Sequence, residues 1–238
     1  MVLYHQSKHR NKFLFVNSFS PEQNEALKKF SKLSGQKVSP LLLFDTKKVV
    51  APWLQELSDI TIVTCDLTDT NALQTALKPY EDEILSATCL GDGNVPHLRR
   101  IVPLLPYCNL PTDKSLEWST EKIQMRSLLR NYDKTISPQF LVVHDDTAAT
   151  IEKIEKKVGY PLVVKPSGLA ASLLVSICYH REELEKVLKL TIRKIDQIYK
   201  AKGGRGLPKI LVEEFMEGDM YSIDAYVNGR GVIYFTPT

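Results

Sequence analysis

Between Phe13 and Leu90 short apolar runs alternate with longer stretches of helical periodicity, which confines the first half of the chain to a small set of folds. Phe13 to Val16, Val38 to Phe44, Ile60 to Cys65 and Ile84 to Leu90 read as buried strands. Pro21 to Leu33, Lys47 to Leu57 and Thr70 to Tyr80 read as the helices between them. Ser20 is placed to cap the first helix, with Pro21 at its first position and Gly35 past its end. Strands separated by helices are joined by crossovers, so the expected architecture is a series of βαβ units with a parallel sheet.

Such a domain suggests nucleotide binding, and the turn after the first strand tests the idea. Its sequence is Asn17-Ser18-Phe19-Ser20-Pro21, without glycine. A dinucleotide pyrophosphate needs a tight turn and close backbone approach there, so a nicotinamide or flavin site of the usual kind is not expected. The Gly-rich turn Gly91-Asp92-Gly93-Asn94 follows the fourth strand. At a strand's C-terminal end it can face a small ligand, or serve simply as a βα turn.

The chain has 238 residues, 43% hydrophobic and 25% charged, which suits one large globular domain or two smaller ones. Its net charge of +3 is evenly spread: residues 1–111 hold 12 basic and 11 acidic side chains, leaving 19 and 17 in the rest. A protein that binds nucleic acid through phosphate neutralisation shows a stronger basic bias, so no nucleic-acid partner is expected. Cys65, Cys89, Cys108 and Cys178 lack CxxC spacing and sit among apolar or β-forming neighbours, as buried reduced thiols do. No apolar run is long enough to span a bilayer, and Met1 to Lys12 is polar and basic, unlike a secretory signal. The expected location is the cytoplasm, with no membrane partner.

Pro103, Pro106 and Pro111 punctuate the chain before Thr112-Asp113 or Ser119-Thr120-Glu121, either of which can start a helix. The domains expected are therefore 1–111 and 112–238. The second opens with a helix from Glu121 to Asn131, on which Lys122 and Arg126 share a face. A strand at Phe140 to Val143 and a helix from Asp145 to Val158, ending at Gly159, come next. The strand Leu162 to Pro166 delivers Lys165 into a loop of small residues, Ser167 to Ser172, and a further strand runs from Leu173 to Tyr179. A loop between two strands, without Gly-Lys-Ser or Gly-Lys-Thr, is not a Walker-type phosphate loop. After a helix from Arg181 to Ala201, the strand at Ile210 to Val212 runs into Glu213-Glu214-Phe215-Met216-Glu217-Gly218. Tyr221 to Val227 and Val232 to Phe235 alternate as strands about an Asn228-Gly229 hairpin turn. The basic stretch Arg193 to Lys209 reads as a solvated helix end and loop, and the five histidines are scattered and carry no assigned role.

A lysine leaving a buried strand beside Ser167, Gly168 and Ser172 suits phosphate, because the ammonium supplies charge while small residues let backbone N–H groups approach. It suits an exposed turn equally well. The edge from Val212 to Gly218 can hold a purine against Phe215 and Met216, or be a strand entering a solvated turn.

The order of these pieces is more specific than any of them. Lysine on a helix (Ser-Thr-Glu-Lys122-Ile-Gln-Met-Arg126), then Gly159-Tyr-Pro-Leu-Val-Val-Lys165-Pro, a small-residue loop and Val212-Glu-Glu-Phe-Met-Glu-Gly218 resemble the ATP-grasp superfamily. The resemblance covers residues 112–238 by motif, and residues 1–111 resemble that family's α/β pre-ATP-grasp domain by architecture. It implies ATP bound between two α+β subdomains. Lys122 and Lys165 would contact phosphate, the loop containing Ser167, Gly168 and Ser172 would close over it, and Glu213 would approach the adenine amino group. Glu214, Phe215 and Met216 would form the segment whose backbone reads the base, with Asp219 or Asp224 at the ribose. The implied activity is ligation through an acyl-phosphate, with ATP and a small carboxylate as partners; a homodimer stays open. No catalytic residue is assigned. The family continues into strands that carry magnesium ligands, whereas this sequence ends at Thr238. The expectation is therefore a shortened chain that binds nucleotide weakly and turns over little, with magnesium belonging to the complete protein. Two rivals stand beside this reading: a non-catalytic nucleotide-binding or regulatory module of the same fold, and an α/β protein whose lysines are structural.

Overall fold

The structure is a computed structural model that describes residues 10–167, 173–201 and 209–236. It divides into two compact units, Met1–Glu117 and Trp118–Thr238, where the sequence placed a boundary near residue 112.

The first unit is built on four strands, β1 (Lys12–Val16), β2 (Ser39–Asp45), β3 (Thr61–Cys65) and β4 (Ile84–Cys89), in the order β3-β2-β1-β4. All three pairings are parallel, as the alternating pattern requires. In β2, Leu41, Leu42 and Leu43 are consecutive and fully buried. They can be so because helices cover both faces of a parallel sheet. Leu41 and Leu43 pack with Leu73 and Leu77 of α2 (Thr70–Leu77), while Leu42 and Phe44 pack with Leu27 of α1 (Pro21–Ser34). α1 has the expected ends: Ser20 and Gln23 form a reciprocal capping box, Pro21 occupies the first turn, and Gly35 closes the helix at φ 69°. The helix expected over Lys47 to Leu57 is reduced to a 3₁₀ segment at Pro52–Glu56. Pro52 disfavours the α region for Ala51, which is extended at φ −64°, ψ 135°.

Both candidate helix starts at the boundary are used. α3 (Val95–Ile101) precedes α4 (Asp113–Thr120), and Glu121 then caps α5 (Lys122–Tyr132). The second unit continues with β5 (Phe140–Val143), α6 (Ala148–Lys157), β6 (Leu162–Pro166), β7 (Ser176–Cys178), α7 (Arg181–Ala201) and β8 (Ile210–Glu214). Its sheet is antiparallel in the order β5-β8-β6-β7. α6 and α7 bury Ile151, Ile154, Leu184, Leu188 and Ile195 against Leu162, Val164, Ile210 and Val212. Successive side chains on a strand point to opposite faces, so Lys165 on β6 and Glu213 on β8 fall on the face away from those helices.

Three strands of this unit, one before α7 and two after β8, are shorter than expected. β7 begins only at Ser176, since Leu174 takes a left-handed φ of 59° that an extended strand does not accommodate. The final hairpin pairs β9 (Ala225–Val227) with β10 (Ile233–Phe235), and its turn is not the two-residue Asn228-Gly229. The Gly231 N–H donates to the Asn228 carbonyl at 2.9 Å and the Asn228 N–H to the Val232 carbonyl at 3.0 Å, leaving three residues in the loop. Gly231, at φ 78°, supplies the left-handed residue such a loop needs. Tyr226 and Tyr234 stack across the two strands, 4.9 Å between ring centroids. The four cysteines are free, as expected. Among the described residues no helix is long and apolar enough to cross a membrane.

Candidate functional site

The chemistry gathers on the face of the second unit's sheet turned away from α6 and α7. β6 and β8 are neighbours, with Val163 opposite Glu213 and Lys165 opposite Leu211. Lys165 and Glu213 are thus diagonal neighbours on one face, within reach of a long side chain. The Lys165 ammonium donates to Glu213 Oε1. From α5, Arg126 donates Nε to Glu213 Oε2 at 2.9 Å and Nη2 to Oε1 at 3.3 Å. One carboxylate, only 5% exposed, therefore holds two cations. Forked guanidinium pairing of this kind is the strong form of a charge-assisted hydrogen bond.

The two lysine-side and acid-side titrations respond unequally. Burial pushes the Glu213 carboxyl up, yet the hydrogen bonds from Arg126 and Lys165 outweigh it and hold the group below the usual carboxylate range. Burial pushes the Lys165 ammonium down; the carboxylate of Glu213 opposes this, and the charges of Arg126 and Lys122 add to it. The carboxylate has two cations to stabilise it, whereas the lysine shares one carboxylate among like charges.

Lys122 opens α5 one turn before Arg126, and its charge is felt at Lys165. Ser167, at the end of β6, donates its hydroxyl to Glu121, the residue that caps α5, and its N–H bonds the Lys209 carbonyl at 2.8 Å. Gly168 and Ser172, and the rest of the loop expected to cover phosphate, lie outside the described residues, as does the loop portion of the basic stretch after Ala201. The Glu214 N–H donates to Gln139 at 2.9 Å, and the Phe215 N–H to Pro161 at 3.1 Å. These bonds fix the segment that continues β8 to its two neighbouring strands. Phe215 is half-buried, while Glu214, Met216, Asp219 and Asp224 are exposed. Asp224 meets the C-terminal hairpin through its carbonyl, which accepts from the Thr236 N–H at 2.9 Å.

The structure thus joins Lys165, Glu213 and the charge of Lys122 in one cluster, and it adds two residues the motifs did not single out. Arg126 had a signal in its spacing from Lys122, but nothing pointed it at Glu213. Glu121 was visible only as a helix start. Glu213, expected against an adenine amino group, has both carboxylate oxygens engaged by cations. In the first unit the Gly91 to Asn94 turn is tied back to the end of β1, where Asn17 Nδ2 donates to Asn94 Oδ1 at 3.0 Å. Asn94 Nδ2 bonds the Leu90 carbonyl at 2.7 Å. Among the described residues no three His, Cys, Asp or Glu side chains converge as a metal site.

A family profile described as an ATP-grasp domain matches residues 158–237, which carry β6, Lys165, β8 and Glu213. D-alanine–D-alanine ligase of Streptococcus pneumoniae (serotype 19F) is 31% identical over 105 residues, 43% of this chain and 29% of that protein. Among solved structures, N5-carboxyaminoimidazole synthetase from Staphylococcus aureus, complexed with ADP, superposes with a TM-score of 0.61 at 13% identity, over 95% of this chain and 53% of that one. Phosphoribosylamine–glycine ligase from Thermotoga maritima gives 0.59 at 18% identity, over 95% and 49%. The chain spans about half the length of these solved structures. Residues 158–237 thus carry an ATP-grasp domain match, and the parallel α/β unit and the antiparallel sheet bearing Lys165 and Glu213 share the fold of these solved structures.

Proposed function

We propose that this chain binds ATP through its second unit and that the protein it represents is an ATP-dependent ligase activating a carboxylate as an acyl-phosphate for attack by an amine or similar nucleophile. The observation that carries the reading is the convergence of Lys165, Arg126 and Lys122 on one face of a sheet of which β6, β7 and β8 lie in the segment that matches the ATP-grasp domain. A triphosphate is the polyanion that such a cluster can hold. Glu213 by itself leaves Arg126 and Lys165 with a surplus positive charge, and phosphate oxygens take up hydrogen bonds from ammonium and guanidinium donors.

In this reading Lys122 and Lys165 hold the phosphates, with the loop containing Ser167, Gly168 and Ser172 beside them. Glu214, Phe215 and Met216 lie along the base, and Asp219 or Asp224 lies near the ribose. Glu213 contributes charge to the lysine. The carboxylate substrate, magnesium and a cytoplasmic setting belong to the same proposal.

Calorimetric titration of the chain with ATP tests it, with K165A as the variant. Lys165 makes a charge-assisted contact, so its removal is expected to weaken ATP at least about tenfold. Equal affinity in K165A removes Lys165 from the site. Release of ADP on adding a carboxylic acid and an amine separates a ligase from a module that only binds.

A further inference from the structure

We propose that Arg126 is a positioning residue of the nucleotide site: by keeping Glu213 neutralised, it lets the Lys165 ammonium leave that carboxylate for an anion. The proposal deepens the ATP-binding reading and rests on it for the identity of the anion, while its electrostatic content is local to α5, β6 and β8.

Glu213 is buried. A buried carboxylate stripped of its sole cation is a costly state, because the interior cannot solvate the charge left behind. Were Lys165 its sole cation, the lysine could turn toward a phosphate only by creating that state. Arg126 removes the obstacle. Its guanidinium meets both carboxylate oxygens, Nε to Oε2 at 2.9 Å and Nη2 to Oε1 at 3.3 Å, whereas Lys165 meets Oε1 alone. When the ammonium departs, the fork stays, and Glu213 remains paired. The two cations and one carboxylate also carry a net charge of +1, so an arriving anion completes the neutralisation rather than competing for a balanced pair.

The geometry accounts for the residue type. The planar fork spans two oxygens, and a lysine at 126 would present a point charge to one of them. It also accounts for the position. Arg126 lies one helical turn from Lys122, so α5 brings to the same face one cation that bears on Lys165 by charge and another that holds the acid.

The test compares the wild-type chain with R126Q, R126K and K165A, using ATP and adenosine as probes, and follows acylation of Lys165 by acetic anhydride across pH by peptide mass spectrometry. R126Q is expected to weaken ATP about tenfold while changing adenosine less than about twofold, and to add nothing to the ATP loss in a K165A background. The labelling midpoint of Lys165 should rise in R126Q, since a like charge is gone and the acid is left to the lysine alone. R126K should fall between wild type and R126Q, which keeps the test usable if R126Q folds poorly. An unmoved midpoint, or equal losses of ATP and adenosine as from a merely structural residue, overturns the proposal. A wild-type chain that binds no ATP defeats the functional reading instead, and the labelling midpoint then decides the pairing claim by itself.

Discussion

Replacing Glu213 by glutamine removes one charge and almost no volume, so its effect isolates the electrostatics of the cluster. In the native chain both carboxylate oxygens are bonded, and the side chains retain little exposure: 6% for Glu213, 15% for Arg126 and 16% for Lys165. Glutamine would leave two cations against each other with no acid between them. Removing one partner of a buried ion pair costs about 3–5 kcal/mol, and the residual water access of the two cations places this case near the lower end, about 3 kcal/mol. That corresponds to a factor of roughly 150 in the opening equilibrium of the sheet. Amide hydrogen exchange read by mass spectrometry measures it directly, because β8 should exchange on the order of a hundredfold faster while β1 and β2 in the first unit serve as an internal reference. The double variant E213Q/R126Q supplies the sign of the interaction. Deleting Arg126 as well removes one of the two uncompensated charges and their mutual repulsion, so β8 protection should recover in part, the opposite of two additive losses. Exchange of β8 in E213Q within threefold of wild type, or further loss in the double variant, would refute the account of Glu213 as the counter-charge of two cations.

The pH dependence of the second unit follows from the same group. The Glu213 carboxyl is held below its ordinary value of 4.5 in the folded chain. Its stabilisation is therefore complete above about pH 4.5 and lost as pH falls through the lower folded value, and urea midpoints across acid pH should show E213Q with a shallower decline than wild type. Ile154 is fully buried between α6 and the sheet, so Ile154→Ala should cost about 2–5 kcal/mol in urea unfolding. Ser20→Ala removes the capping box of α1. It should cost about 1 kcal/mol, seen as faster exchange confined to the first turn of that helix. Burial pushes the thiols of all four cysteines up, that of Cys178 to about 11. Iodoacetamide at neutral pH should therefore alkylate the native chain far more slowly than the urea-unfolded one, with Cys178 the last to react.

Much of the secondary structure could be read from pattern because its causes are local. The run Leu41-Leu42-Leu43 announces a strand covered on both faces, and Ser20-Pro21 with Gln23 and Gly35 marks both ends of α1. Local reasoning failed where a backbone preference cut across periodicity. Pro52 reduced an apparent helix to a 3₁₀ turn, Leu174 in the left-handed region delayed β7, and Gly231 rather than Gly229 made the hairpin turn. The site divides along the same line. Lys165 at the end of an apolar strand, Glu213 at the end of another and Lys122 on a helix were visible as candidates from their positions in the motifs, whereas Arg126 showed only as a neighbour of Lys122 on one helix face.

Their meeting was not encoded in any window of sequence. Periodicity states which side of each element is apolar, since it reflects the 2.0 and 3.6 residue repeats of the backbone, and from that the α/β class followed, while the ATP-grasp resemblance lay in the order of the motifs around Lys122, Lys165 and Glu213. It carries no information about which strand lies beside which. That Arg126 grips an acid 87 residues away, and Lys165 the same acid across 48, depends on the order β5-β8-β6-β7, which inserts the last of the four strands between two earlier ones. Strand order is settled by packing of whole faces and by backbone hydrogen bonds between distant segments, and through it a conspicuous lysine and an ordinary glutamate became the two sides of one charged cluster.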